Sequence, residues 1–116
     1  MRAPGSFPGF TDKMPEPTDI SVTELRNLLS KTPLPFVLDI RELEELTGGM
    51  VAGAVHIPMN DIPGRLAELP AAGPIVVYCE HGMRSQMVAE WMAGQSFKDV
   101  RSLTGGFSQW GPGMRA

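Results

Sequence analysis

The chain has a single cysteine, Cys79, and its position favours a reactive thiol. It ends the most apolar run of the sequence, residues 75–79, which we predict to be a strand, and a helix is predicted over residues 84–94. Unpaired backbone N–H groups and the dipole of a helix N-terminus stabilise negative charge at such a junction. A thiol there ionises more readily, so we favour a thiolate nucleophile over a buried cysteine that only fills space.

The residues after Cys79 suit a loop that holds an anion. Gly82 permits a tight backbone that other residues resist, and Arg84 adds a fixed positive charge with several N–H donors. We expect Ser85 either to donate its hydroxyl toward the sulfur or to cap the helix. The predicted anion-binding loop comprises Glu80, His81, Gly82, Met83, Arg84 and Ser85.

Two loop residues have alternative interpretations. Glu80 is expected to be a solvated loop residue, because a carboxylate that faced the sulfur would oppose formation of the thiolate. His81 is interpreted either as an exposed loop residue or as a charge near the sulfur that helps to bind anions.

Short apolar strands alternate with helical stretches in the rest of the chain. After a short extended entry at residues 18–21, strands are predicted over residues 36–40, 54–57, 75–79 and 100–103. Helices are predicted over residues 22–30, 41–46, 61–69 and 84–94, and a turn or short helix runs through Trp110. Fully apolar strands between helices indicate an α/β fold with a parallel sheet covered on both faces. Ligands bind such sheets at the carboxyl ends of the strands, where Cys79 is predicted to lie.

The capping residues and the helix faces give more detailed expectations. Ser21 and Glu24 predict a capping box for the first helix, and Asp61 is expected to cap the helix over residues 61–69. His56 is expected to be structural. We expect a solvated face made of Glu42, Glu44 and Glu45, and a core-facing side of the helix over residues 84–94 made of Met87, Val88, Trp91 and Met92.

Length and composition fit one domain with its own core. The 116 residues carry a formal charge of −3, so we expect no nucleic-acid partner, and the longest apolar run is too short to cross a membrane. Residues 1–17, rich in proline and glycine, are predicted to be an irregular leader before a domain over residues 18–116. With one free cysteine and no apolar signal segment, we expect a cytoplasmic monomer. Neither a metal site nor another cofactor is predicted.

Four short segments occur in the order that is typical of rhodanese domains. Residues 79–85 resemble the active-site loop of that family: a strand, then Cys, four residues, Arg, Ser and a helix. Residues 39–45 resemble its Asp-x-Arg-Glu-x-Glu-Glu segment, 53–58 its Gly-Ala-x-x-Ile-Pro segment, and 105–110 its closing Gly-Gly-aromatic-x-x-Trp segment. The resemblance covers about residues 18–111, and it departs from the family at residues 50–52 (Met-Val-Ala), where His-Ile/Val-Pro is common.

The resemblance implies a rhodanese-like α/β fold, with about five parallel strands and helices on both faces. It also implies a sulfurtransferase that takes sulfane sulfur from a small anionic donor such as thiosulfate, holds it as a persulfide on Cys79 and passes it to a thiol or to cyanide. A persulfide carrier in a protein sulfur relay is the alternative. Phosphatases of this fold have five residues between Cys and Arg, whereas four separate Cys79 from Arg84. The shorter loop disfavours phosphatase or arsenate reductase activity.

Asp39 and Arg41 follow a strand that is predicted to neighbour the Cys79 strand. The resemblance implies that Asp39 braces the structure and that Arg41 adds positive potential near the entrance of the site. The residues alone equally allow a capping aspartate in a surface ion pair.

Overall fold

Five parallel strands form the sheet in the computed structural model, which describes residues 19–110. The strands are β1 (Asp19–Ile20), β2 (Phe36–Asp39), β3 (Val55–His56), β4 (Pro74–Tyr78) and β5 (Asp99–Leu103), in the order β1-β5-β4-β2-β3. All four pairings are parallel, and β4 lies at the centre of the sheet. The predicted α/β fold is therefore confirmed. The predicted leader, residues 1–17, lies outside the described residues.

Helices cover both faces of this sheet. The α-helices are α1 (Val22–Leu29), α2 (Met83–Ala93) and α3 (Phe107–Trp110), and 3₁₀ helices span Leu43–Gly48, Met59–Asp61 and Pro63–Glu68. The predicted capping box at the start of α1 is present, since Ser21 and Glu24 exchange hydrogen bonds. None of the helices within residues 19–110 is long and apolar enough to cross a membrane.

Two predicted helices differ from the structure. The chain over residues 61–69 forms parts of two 3₁₀ helices instead of one α-helix, and Asp61 ends the first instead of capping a helix. The backbone of Arg65 departs from helical values (φ −128°, ψ 21°), and Gly64 before it is a poor helix former, so an α-helical ladder is not sustained. The predicted helix over residues 41–46 is a 3₁₀ helix that begins at Leu43, with Arg41 before it.

The alternating side chains of the strands form two apolar layers. On β4, Val77 packs in the layer that α2 covers, whereas Val76 and Tyr78 pack in the layer beneath α1 and α3. Of the predicted core residues of α2, Val88 and Met92 are buried, but Met87 is half-exposed and Trp91 only partly buried. The buried stripe of α2 follows helical spacing through Ser85, Val88, Ala89 and Met92, which leaves Met87 and Trp91 on its flank.

The turn before α3 packs directly against the backbone that follows Cys79. The N–H of Phe107 donates to the carbonyl of Cys79 (2.8 Å), and that of Ser108 donates to the carbonyl of Glu80 (3.0 Å). Gly106 has a φ of +69°, and a Cβ at this position would lie 2.5 Å from the Cys79 carbonyl oxygen. The closing Gly-Gly-aromatic segment therefore lets two backbone segments approach more closely than side chains would allow.

We predict that Gly106→Ala lowers the free energy of unfolding by roughly 3 kcal/mol or more, because left-handed strain adds to a clash with backbone. Gly53→Ala is the matched control: its φ is +82°, but nothing lies within 4 Å of the added Cβ. That variant should lose only about 1–2 kcal/mol of its free energy of unfolding, from backbone strain alone. Urea denaturation measures both variants, and equal losses would show that the close approach at Gly106 is unimportant.

Candidate active site

Cys79 lies directly after β4, with its sulfur in a cradle of backbone N–H groups. The thiol is buried, and its Sγ accepts hydrogen bonds from the N–H groups of Gly82 (3.1 Å) and Ser85 (3.3 Å). Gly82 precedes α2 with a φ of +101°, so the predicted need for glycine in this loop is confirmed. The first turn of α2 thus presents unpaired donors to the sulfur, an arrangement that stabilises negative charge.

The Ser85 hydroxyl forms the inner wall of this cradle. Its Oγ lies 3.5 Å from Cys79 Sγ and 3.2 Å from the carbonyl oxygen of Gly82. Ser85 therefore lies beside the sulfur, although its hydroxyl donates to the Gly82 carbonyl here, and no side-chain cap is formed at the start of α2. A second buried hydroxyl, Ser102 on β5, lies 2.7 Å from Ser85 Oγ. Ser102 was not predicted as a site residue, since a serine within a short strand gives only a weak signal.

Two opposing effects determine the acidity of the thiol. Burial raises the pKa of Cys79, but hydrogen bonds from the Ser85 hydroxyl and from the N–H groups of Ser85, Gly82 and His81 lower it more. The net pKa of Cys79 lies below its ordinary value. The cradle can therefore hold a thiolate or an anion bonded to the sulfur.

Arg84 is engaged by a carboxylate from another element. Its two terminal nitrogens donate to Glu45 at 2.9 and 2.8 Å, and Glu45 belongs to the 3₁₀ helix Leu43–Gly48. The hydrogen bonds from Arg84 lower the pKa of Glu45 to about 2, and Glu45 in turn raises the pKa of Arg84. The expectation that Glu45 belongs to a freely solvated face is wrong. Arg84 adds positive potential near Cys79, but its fork points at Glu45.

Arg41 is buried beneath the site, and all five of its side-chain N–H groups have acceptors. Nε and Nη2 donate to the Asp39 carboxylate, Nη2 also donates to the Gly49 carbonyl, and Nη1 donates to the Glu45 carbonyl and to Glu80 Oε1. Its guanidinium carbon lies 4.4 Å from the centre of the Phe107 ring, a cation–π contact.

These contacts correct three expectations. Asp39 and Arg41 form a buried ion pair, 2.8 Å long, rather than a surface one. Arg41 is only 1% exposed, so it braces the site from below and does not lie at the entrance. Glu80 is not free in solvent: its carboxylate pairs with Arg41 at 3.0 Å, while its side chain stays 31% exposed. The positive charge of Arg41 offsets the Glu80 carboxylate, which would otherwise oppose a thiolate nearby.

An open groove of about 430 Å³ lies beside the loop. His81 and Met83 of the loop line it together with Asp19 and Ser102, so His81 lies on the exposed side of the site. Met83 and Met87 are 79% and 52% exposed. Met87 also borders a second groove of about 310 Å³, which Trp91 lines on the other side of α2. An apolar, adaptable surface therefore adjoins the loop.

The two histidines have different surroundings, and neither contributes to a metal cluster. His56 Nε2 lies 2.6 Å from the carbonyl oxygen of Arg41, which ties β3 to the end of β2. Within residues 19–110, no group of three His, Cys, Asp or Glu side chains is arranged to hold a metal ion.

Comparisons with known proteins agree with the fold. The sequence pattern of the rhodanese-like domain family matches residues 21–112. A sulfurtransferase of Allochromatium vinosum is 33% identical over 92 residues, which cover 79% of this chain and 86% of that protein. The thiosulfate sulfurtransferase GlpE of Coxiella burnetii is 34% identical over 91 residues, 78% of this chain and 84% of its own length. The crystal structure of a rhodanese-like domain protein from Staphylococcus aureus has a TM-score of 0.76 and 30% identity, and it covers 81% of this chain and 91% of that one.

We predict that the Cys79 thiolate forms in the folded protein at a pH below the roughly 8.5 of an unperturbed thiol, because the cradle donates to the charged sulfur. Because Cys79 is the only cysteine, the ultraviolet absorbance of the thiolate, taken as the difference from Cys79→Ser, reports it alone. In denaturant the titration midpoint should return to about 8.5. A folded midpoint at or above the denatured one would contradict the prediction.

We predict that Arg41→Lys lowers the free energy of unfolding by about 3 kcal/mol, because an ammonium cannot satisfy the five acceptors and leaves buried Asp39 poorly paired. Arg65→Lys is the matched control. Arg65 also grips a carboxylate, that of Glu68, through two N–H groups, but both side chains are exposed. The control should change stability by less than about 0.5 kcal/mol. Similar losses in the two variants, measured by urea denaturation, would argue against a special role for the buried pair.

Proposed function

This chain belongs to the rhodanese-like domain family, and on that premise we propose that it is a sulfurtransferase that carries sulfur as a persulfide on Cys79. The observation that carries the proposal is the cradle: two N–H groups and a hydroxyl converge on a buried sulfur at the start of α2. The same donors that stabilise a thiolate would stabilise the outer sulfur of a persulfide anion. The relatives named as sulfurtransferases support the reaction class.

The proposed reaction has two displacement steps. In the first, the Cys79 thiolate attacks the outer sulfur of the donor, for which thiosulfate serves as the example. A new S–S bond forms on Cys79, the S–S bond of thiosulfate breaks, and sulfite leaves with the bonding electron pair. In the second, a thiolate or cyanide attacks the outer sulfur of the persulfide, and Cys79 departs as a thiolate. This is covalent catalysis with ping-pong kinetics. Both steps balance in atoms and electrons without an added proton, metal ion or redox partner.

Each loop residue has a distinct part in this proposal. Gly82 and Ser85 donate to the sulfur, while His81 contributes its backbone N–H. Arg84 fixes the outer wall of the loop through Glu45 and adds positive potential that favours an anionic donor. Asp39 and Arg41 hold the loop from below through Glu80. Met83 forms the exposed edge, where the donor and acceptor would arrive.

A persulfide carrier in a protein sulfur relay is the second candidate. The observation that favours it is the exposed apolar edge of the site at Met83 and Met87, which suits contact with another protein. In this case the donor is a protein persulfide, and the chemistry on Cys79 stays the same. We propose a cytoplasmic location for either role, since a free thiol persists in a reducing compartment.

We predict that incubation with thiosulfate adds one sulfur atom, about 32 Da, to the intact protein, because the cradled thiolate attacks the outer sulfur. Intact mass spectrometry measures the gain. Cyanide should remove the added mass and release thiocyanate, and Cys79→Ser should gain nothing. Ser30→Ala, which removes an exposed hydroxyl at the end of α1, is the control for serine substitution and should load like the wild type.

The outcomes separate the two candidates. Loading by thiosulfate supports the small-molecule sulfurtransferase. Loading only by a cysteine desulfurase supplied with cysteine supports the relay role. If neither donor adds sulfur to a folded protein with a titratable thiolate, the proposed function is wrong.

A further inference from the structure

Two serine hydroxyls are buried side by side behind the sulfur. Ser85 on α2 and Ser102 on β5 are 0% and 1% exposed, and their oxygens lie 2.7 Å apart. Ser85 Oγ also lies within reach of the Gly82 carbonyl oxygen and of Cys79 Sγ. A hydroxyl has one proton and two lone pairs, so Ser85 can donate to only one of these three neighbours at a time.

The direction of the bond between the two serines follows from the partners that each one has. Of the described residues, Ser85 is the one whose oxygen lies within hydrogen-bond distance of the Ser102 hydroxyl. A buried hydroxyl proton without an acceptor is costly, so Ser102 donates to Ser85. The lone pairs of Ser85 then accept from Ser102 and from the Cys79 thiol, while its own proton goes to the carbonyl of Gly82.

Ionisation of Cys79 changes the hydrogen bonds that Ser85 forms with the sulfur and with Gly82, but not the one from Ser102. The thiolate no longer donates to Ser85, and the negative sulfur becomes the stronger acceptor for its proton. The Ser85 hydroxyl turns from the Gly82 carbonyl to the sulfur, and Ser102 continues to donate to the Ser85 oxygen. Without Ser102, a lone pair of Ser85 would lose its donor, and the hydroxyl would be held less firmly in its orientation behind the sulfur.

We propose that Ser102 is a positioning residue that acts through Ser85 to reserve the Ser85 proton for the charged sulfur of Cys79. The inference deepens the function proposed above, since a persulfide anion needs the same donor. A donated bond from Ser102 also polarises Ser85 and makes it a better donor in turn. Ser102 does not touch the reacting sulfur; its effect is transmitted by one hydroxyl.

The charged groups around the sulfur must be held constant in any test. They lie on several elements, and the test variants leave all of them in place: Asp19 on β1, Asp39 and Arg41 at the end of β2, Glu45 in the 3₁₀ helix, and Glu80, His81 and Arg84 in the loop. Replacing a neutral hydroxyl changes none of these charges.

The test is a double-mutant cycle read by the thiolate absorbance of Cys79 against pH. Ser102→Ala should raise the titration midpoint by about 0.5–1 pH unit, because the sulfur loses part of a hydrogen bond to its charged form. In the Ser85→Ala background, the same substitution should cause no further shift, since the path to the sulfur is already absent. Ser30→Ala, the exposed control at the end of α1, should leave the midpoint unchanged.

Two results would overturn the proposal. One is an unchanged midpoint in Ser102→Ala, and the other is an equal shift with and without Ser85, which would reveal a general structural effect. If Ser102→Ala does not fold, Ser102→Thr and Ser102→Val provide a pair of equal shape, in which only threonine keeps the hydroxyl. Threonine should then titrate like the wild type and valine at higher pH, and equal midpoints would refute the role.

Sulfur loading is a separate measurement, so the two proposals can fail independently. A shifted midpoint in a protein that never gains about 32 Da would leave Ser102 in its role and remove the transfer function. Normal loading with an unchanged midpoint would remove the role of Ser102 and leave the transfer function.

Discussion

The buried guanidinium of Arg41 is the constraint on which the site depends. A buried charge is tolerated only when it is paired and fully hydrogen-bonded, so its five acceptors must all be in place when the protein is folded. These acceptors come from the end of β2, from the 3₁₀ helix Leu43–Gly48 and the glycine that follows it, and from Glu80 in the loop. The end of β2 and the 3₁₀ helix that follows it are thereby held, together with the loop residue 39 positions after Arg41, around one point beneath the sulfur.

Glu45 links this buried centre to the outer side of the loop. Its carbonyl oxygen accepts from Arg41, and its carboxylate grips Arg84. Because the Arg84 fork is occupied, the sulfur depends mainly on fixed dipoles: the N–H groups at the start of α2 and the Ser85 hydroxyl. These dipoles overcome the effect of burial, which alone would keep the thiol neutral.

Local patterns predicted the sheet, the helix after Cys79 and the need for glycine at position 82, because each depends on short-range periodicity or backbone conformation. The partners of charged side chains were not predictable in this way. Glu45 and Glu80 looked like solvated residues, yet each pairs with an arginine 39 positions away in sequence. Ser102 lies 17 positions from Ser85, and only the parallel pairing of β4 with β5 brings the two together.

The turn at Gly106 has a consequence for the electrostatics of the reaction. The N–H groups of Phe107 and Ser108 bind the carbonyls of Cys79 and Glu80, which fixes the orientation of the peptide planes that enter the loop. Amides that are already aligned need not rotate when charge appears on the sulfur. Water dipoles would have to reorient each time charge forms on the sulfur. In this site the donors are aligned once, when the protein folds.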